Sequence, residues 1–303
     1  MNLKLGSRKS RLAMWQTHRI ADLLAEAHPD IEVSIVTMDT TGDRRGDEPL
    51  PAIGAKGLFT AELEEALLND TIDVAVHSLK DLPSQLPQGL RYGGSPKRAA
   101  ATDSFISTRW SDLDELPAQA TIATGSQRRR AQLLADRPGL EMTNLRGNIG
   151  TRLRKLDEQG FDGIIMATAA LERLEMTDQI TTELDPSRYV PAVGQGAIGL
   201  EIREGRQDIE SILAPILDQT TVKAVSAERI FMRRLEGGCS VALGAYCRPV
   251  DETGASWEFF GWASSTDGQQ VIHESATGPD PDALAEAMVE EFLAAGAKEI
   301  LST

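Results

Sequence analysis

Cysteine and histidine are scarce: Cys239 and Cys247 are the only thiols in 303 residues, and four histidines stand singly at 18, 28, 77 and 273. Two thiols do not make a disulfide framework. Neither they nor His18, His28, His77 and His273 show a metal-ligand spacing, so no metal site is expected. No apolar run approaches the ~20 residues of a membrane span. The opening MNLKLGSRKSRLAMWQ lacks the apolar core of a signal peptide, which predicts a cytoplasmic protein with no membrane partner. Positive charge is short as well. Lys and Arg number 31 against 46 Asp and Glu, a net charge of -15, which argues against a nucleic-acid partner, whose phosphates must be neutralised. There is no GxxxxGK[ST] loop. The GxGxxG of Gly194–Gly199 leads into a strand rather than opening a helix, so it does not read as a dinucleotide site.

What is present alternates. NLKLG reads as a strand, and residues 10–28 as a helix with Leu12, Trp15, Ile20, Leu23, Leu24 and Ala27 near one face. IEVSIVTMD is a strand, LFTAELEEALLND a helix, and TIDVAVHSL a buried strand. Between the second strand and second helix lies TTGDRRGDEPLPAIGAKG, rich in Gly, Pro and charge, which reads as a mobile lid loop. A second α/β unit starts near residue 101, with strands ATIAT and GFDGIIMAT and helices after each. Strands separated by helices predict mainly parallel sheets. After residue 218 one helix leads into three strand-like runs, VALGAYCRPV, SWEFFGWASS and QQVIHESA, and a last amphipathic helix. That is the pattern of a small α+β domain with an antiparallel sheet.

Against the acidic background, arginines gather at strand-to-helix turns: TGSQRRR at 124–130, LRGNIGTRLRKL at 145–156, and Arg173 after GIIMAT. Ser126 predicts an N-cap, which puts Arg128 and Arg129 in a first helical turn, where cations oppose the helix dipole. An anion at the same place reconciles them, since free backbone N–H groups also point there. Guanidinium forks suit carboxylates, so a polyanionic small molecule is expected. Lys80 and Asp81 follow the buried strand VAVHS at the edge where α/β ligands bind; Asp is also a common turn residue. His77 reads as a core or supporting residue, and Cys247 as a small buried hydrophobe within a strand. Cys239 differs, because it follows Gly237-Gly238 and lies near Arg233 and Arg234, which favour thiolate. It reads as a nucleophile or attachment point.

GSRKSRLAMWQ, DTTGDRRGD, AKGLFTAELEEALL, VHSLKDLP, TGSQRRRAQL, LRGNIGTRLRKL, VPAVGQGAIGLE and RLEGGCSV, taken in order and spacing, resemble the hydroxymethylbilane synthase (porphobilinogen deaminase) family over nearly the whole chain. The resemblance implies a transferase of tetrapyrrole and heme biosynthesis. Such enzymes join four porphobilinogen molecules head to tail, release ammonia at each step and hydrolyse off a linear tetrapyrrole. It implies a covalently bound dipyrromethane cofactor on a thioether at Cys239. By match, Asp81 is the catalytic acid, and Lys80, Asp81, Thr124, Ser126, Arg128, Arg129 and Arg146 bind the cofactor. Arg8, Ser10, Arg146, Arg152, Arg173 and Gln195 bind substrate, and Lys56 and Phe59 belong to the lid. The chain has Ala52 where the family often has a lysine, four residues before Lys56, and Arg44 or Arg45 are the candidates to replace that contact.

The implied fold is α/β in three domains. Residues 1–97 with 196–216 form a discontinuous first domain carrying the acid and lid. Residues 101–190 form an arginine-rich second domain, and 219–303 a third, small α+β domain with the cofactor cysteine. The first two resemble lobes of type II periplasmic binding proteins, and a monomer is expected. A non-catalytic two-lobed binding protein for a carboxylated metabolite shares the arginine cluster but has no use for Cys239.

Overall fold

The structure, a computed structural model, describes residues 2–40, 60–235, 241–251 and 253–302. Residues 41–59, which hold nearly all of the stretch read above as a lid loop, and the segment 236–240 lie outside the described residues. The chain divides into two compact units: residues up to Ala99 with Gly196–Val222, and Ala100–Gln195 with Lys223 onward.

The first unit opens with strand β1 (Asn2–Arg8), where the alternation of NLKL turns Leu3 and Leu5 inward. Helix α1 (Arg11–Ala27) follows at once, because the Ser10 side chain accepts a hydrogen bond from the Ala13 amide and caps the first turn. Ile20 and Leu24 on its inner face are fully buried. Strand β2 (Glu32–Met38), helix α2 (Ala61–Leu68), strand β3 (Val74–Ser78) and strand β4 (Leu90–Gly94) complete the first pass through this unit.

In the second unit come β5 (Asp103–Ile106), β6 (Thr121–Ala123), α3 (Gln127–Asp136), β7 (Glu141–Thr143), α4 (Ile149–Glu158), β8 (Gly163–Ala167), α5 (Thr168–Arg173) and β9 (Thr182–Glu183). The chain then returns to the first unit with β10 (Ile198–Arg203) and α6 (Gln207–Leu213), and leaves it along α7 (Gln219–Arg234). The remainder is β11 (Leu243–Pro249), β12 (Trp257–Ser264), β13 (Val271–Gly278), α8 (Pro281–Ala294) and α9 (Ala297–Leu301).

The first sheet has the order β2-β1-β3-β10-β4, the second β7-β6-β8-β5-β9, and the third β11-β12-β13. The architecture is thus mixed α/β with a small antiparallel third sheet, as expected. The expectation of mainly parallel sheets holds for strand direction in both five-stranded sheets, with one reversed strand in each. β10 is antiparallel to β3 and β4, and β5 is antiparallel to β8 and β9. Parallel neighbours need a crossover connection, and β5 and β10 are instead the strands laid down just after the chain passes between units.

In the first unit, α1 and α6 cover one face of the sheet through Leu3, Leu5, Val74, Leu200, Ile202 and Ile209. Helix α2 covers the other through Leu63, Leu67 and Ala75. The third sheet is filled by aromatic packing. Phe231 of α7 meets Phe292 of α8 edge-on at 4.9 Å and Phe259 of β12 at 5.6 Å. Cys247 is buried in β11, in keeping with its reading as a small hydrophobe. Glu228 ties this sheet to the segment before β10, since its carboxylate accepts from the amides of Gly194 (2.7 Å) and Cys247 (3.0 Å). Among the described residues no helix is long and apolar enough to cross a membrane.

Candidate functional site

In the first unit the functional side chains follow from strand order. β1 and β3 are parallel neighbours, so Arg8 at the end of one and the turn after the other share an edge. That turn is a single 3-10 turn, Leu79–Asp81. It is fixed by β10, because the Leu79 amide donates to the Ala197 carbonyl at 3.0 Å. Arg8, Ser10, Gln16, Thr60, His77 and Asp81 line one cavity there. Gln16 is buried on α1 and donates from Nε2 to Ser78 Oγ at 3.0 Å, which braces helix against strand. His77 is buried against Glu201, with Nε2 2.9 Å from Oε2. Lys80 and Asp81 are both half-buried. Among the described lining residues Asp81 is the only acid, so it meets a cation or a row of N–H donors there without a competing carboxylate.

In the second unit, β7, β6 and β8 are parallel and their C-terminal ends carry the arginine turns. Ser126 caps α3 as predicted, accepting from the Arg129 amide. Arg128 and Arg129 fall in the first turn, and the anion that reconciles them with the helix dipole comes from the chain itself. Asp103 of β5 accepts from Arg128 Nη2 at 2.7 Å on one oxygen. Its other oxygen accepts from Arg129 Nη2 at 2.6 Å, Arg129 Nε at 3.0 Å and Gln195 Nε2 at 2.8 Å. All four residues are buried. Burial pushes the Asp103 carboxyl up, but the two guanidinium charges and their hydrogen bonds outweigh it and hold it well below the usual carboxylate range. Burial draws Arg128 down, with the Asp103 charge opposing. Two positive groups against one negative leave a single positive charge over from this trio at the start of α3.

Arg146 and Arg152 belong to one turn. Asn148 caps α4 by accepting from Thr151 N at 2.9 Å, and Arg152 Nε donates to the Gly147 carbonyl at 2.8 Å. Gly147 has φ of 113°, a backbone that favours glycine. Thr124 Oγ1 accepts from the Ser126 amide at 3.3 Å. The Thr124–Ser126 turn lies directly on the Arg146 turn, since a Cβ on Gly125 would stand 2.6 Å from the Leu145 carbonyl oxygen. Gly125→Ala is therefore expected to cost ~1–3 kcal/mol through a forced backbone shift. A lowered Tm checks it, and an unchanged Tm refutes the contact. Arg173 ends α5 in a buried position, and burial brings its guanidinium down to about 10, with Glu172 opposing.

The structure thus collects Arg8, Ser10 and Asp81 on one cavity, with Lys80 beside Asp81. It gathers Arg128, Arg129 and Gln195 on Asp103, and Arg146 with Arg152 at one turn. Cys239, Lys56, Phe59, Ala52, Arg44 and Arg45 lie outside the described residues. Sequence reading missed Asp103, Gln16 and the Glu201 partner of His77. Asp103 carried one signal: a carboxylate beginning the apolar run DSFI needs a buried cation.

Two family models match the chain. The first, "Porphobilinogen deaminase, dipyromethane cofactor binding domain", covers residues 3–211, and the second, "Porphobilinogen deaminase, C-terminal domain", covers 222–294. The chain belongs to the porphobilinogen deaminase family. Curated porphobilinogen deaminases agree. That of Carboxydothermus hydrogenoformans is 48% identical over 98% of this chain and 95% of its own length. That of Maridesulfovibrio salexigens is 44% identical over 99% and 97%. Among solved structures, the methionine-binding protein MetQ is similar over 75% of this chain and 94% of its own, at 14% identity and a TM-score of 0.45. At that TM-score the likeness carries no argument, and the porphobilinogen deaminase assignment rests on the sequence matches.

Proposed function

We infer that this chain is a hydroxymethylbilane synthase. It condenses four porphobilinogen molecules head to tail with loss of ammonia, hydrolyses off the linear tetrapyrrole, and is primed by a dipyrromethane held at Cys239. The observation that carries the reading is the cavity of the first unit, which is lined by both Asp81 and Arg8 in a chain matched by the family over residues 3–211 and 222–294. The second unit fits a ligand bearing acetate and propionate groups. Arg146 Nε is buried with no hydrogen-bond partner among the described residues, and Arg173 has been lowered by burial, which a carboxylate would relieve.

Arg146, Thr124, Ser126 and the residual positive charge of Arg128 and Arg129 hold the cofactor carboxylates, with Lys80 at the Asp81 end. Arg8, Ser10, Arg152 and Arg173 hold the incoming substrate, and Gln195, matched to the same set, is instead buried with its amide on Asp103 and the Ala101 and Thr102 carbonyls and supports Arg129. Each charge-assisted hydrogen bond contributes ~1.5–3 kcal/mol. When bound, the dipyrromethane supplies the pyrrole terminus from which the product is built. Asp81 steadies positive charge on pyrrole rings by accepting their N–H bonds, and takes and returns protons at its carboxylate oxygens. Lys56 and Phe59 are assigned to the lid by the family match alone and lie outside the described residues. The division into domains 1–97 with 196–216, 101–190 and 219–303 is supported by the three sheets, each with a buried core of its own. A cytoplasmic monomer completes the reading, and light scattering is expected to give the mass of one loaded chain, a mass of two overturning that state.

Intact mass decides the central point. The purified protein is expected above its sequence mass by a dipyrromethane, and Cys239→Ser at sequence mass with no turnover. A parent protein at bare sequence mass that ignores porphobilinogen, even with primer added, overturns the assignment.

A further inference from the structure

Three buried ionisable groups in the first unit have no role so far. His77 on β3 is 5% exposed, Glu201 on β10 0% and Glu64 on α2 8%. β3 and β10 are antiparallel with Ala75 opposite Glu201 and Gly199 opposite His77. Alternation along the strands therefore puts His77 and Glu201 on one face, where they meet at 2.9 Å. Helix α2 brings Glu64 toward the same place. Burial pushes its carboxyl up, Thr60 opposes this, Glu201 adds to it and His77 opposes. One oxygen on each acid, Glu64 Oε1 and Glu201 Oε1, is buried without a hydrogen-bond partner among the described residues.

Stability does not account for such a cluster. A buried ion pair is often no better than well-packed apolar side chains of the same volume. The cavity offers a reason, because His77 lines it together with Asp81 and Arg8. On the functional reading above, each condensation starts from the aminomethyl group as its ammonium, breaks a C–N bond, forms a C–C bond, and frees ammonia and the proton displaced from the ring carbon. That proton has to leave the cavity. Asp81 cannot keep it and still be the anion that steadies the next cationic ring.

We propose that His77, anchored by Glu201 with Glu64 behind it, is the proton-holding wall of the Asp81 cavity, and that His77 acts as a positioning residue which returns Asp81 to its ionised form between condensations by taking its proton and passing it to the released ammonia, which departs as ammonium. The charged groups about the imidazole are Glu201 from β10 and Glu64 from α2, and Arg8 from the end of β1 and Asp81 from the turn after β3 share its cavity; the polar groups lining it from α1 and its cap, Gln16 and Ser10, are neutral.

The test is the pH profile of porphobilinogen consumption by cofactor-loaded parent, His77→Gln, Glu201→Gln and the double variant. In each single variant kcat is expected to fall ~10²-fold with KM little changed and with an altered pH profile. The double variant is expected to be no worse than either single, because the two act as a unit. Profiles that overlay the parent at every pH overturn the proposal alone. A parent that cannot consume porphobilinogen overturns the functional reading and this proposal with it. If neither variant yields folded, loaded enzyme, the imidazole 15N resonances of the parent decide, with His77 assigned by eliminating His18, His28 and His273. Resonances of His77 that move when porphobilinogen is added support the proposal, and unmoved ones overturn it.

Discussion

Asp81→Ala is expected to slow porphobilinogen consumption by ~10²–10⁴-fold, the usual worth of a positioned acid–base group. The protein should keep the mass added at Cys239 when it acquires a preformed primer. The carboxylate is held without help from its own side chain: the 3-10 turn is pinned by the Leu79 amide on the Ala197 carbonyl, and Leu79 itself is buried beneath. Truncation at Cβ therefore removes charge and leaves the turn in place. A fixed anion in a half-buried cavity acts where positive charge develops and needs no reorganisation when it does. Asp81→Asn separates charge from shape, since it keeps the volume and a carbonyl acceptor but not the proton exchange. It is expected to fall within about tenfold of Asp81→Ala, measured as single-turnover loss of porphobilinogen on loaded enzyme. Alanine and parent rates that agree remove Asp81 from the chemistry.

The parts of this fold that sequence made legible are those with a local signal. Ser126 announces a helix start because an unpaired first turn wants a side-chain acceptor, and it caps as expected; Ser10 caps α1 in the same way. The buried strand VAVHS ends at a polar turn, and the cavity is there. What stayed hidden is non-local. β5, β7 and β9 span four, three and two residues, too few to show a period. β10 runs antiparallel because the chain returns from the other unit, which no neighbouring residue encodes. The same holds for the site. Two arginines at a helix start called for an anion, and that much could be read. That Asp103, 25 residues earlier, supplies it is a matter of tertiary register. Glu201 lies 124 residues from His77 and carries no mark of the pairing.

Asp103→Ala is expected to be among the most destabilising single changes in the second unit, at ~3–5 kcal/mol, because it strands two buried guanidinium groups. Gln195 Nε2 would keep its bonds to the Ala101 and Thr102 carbonyls, but Arg128 and Arg129 would be left with only neutral partners. The pH dependence fixes the sign. The folded carboxyl lies below its unfolded value, so Asp103 stabilises the protein above the ordinary carboxylate pKa and loses that contribution as pH falls through the folded value. The Tm gap between parent and variant should accordingly be widest near neutrality and narrow in acid. A gap that is small at neutral pH, or that widens on acidification, refutes the account. Replacing all three charges, with Asp103→Leu, Arg128→Met and Arg129→Met, tests what the network is for. An apolar trio of similar volume is often neutral or stabilising, so the Tm should recover most of its loss. The positive charge left over at the start of α3 would be gone, however, and with it the attraction for ligand carboxylates, so cofactor loading by intact mass should stay impaired. Recovery of loading along with stability would mean that the arginine pair serves packing and not the ligand.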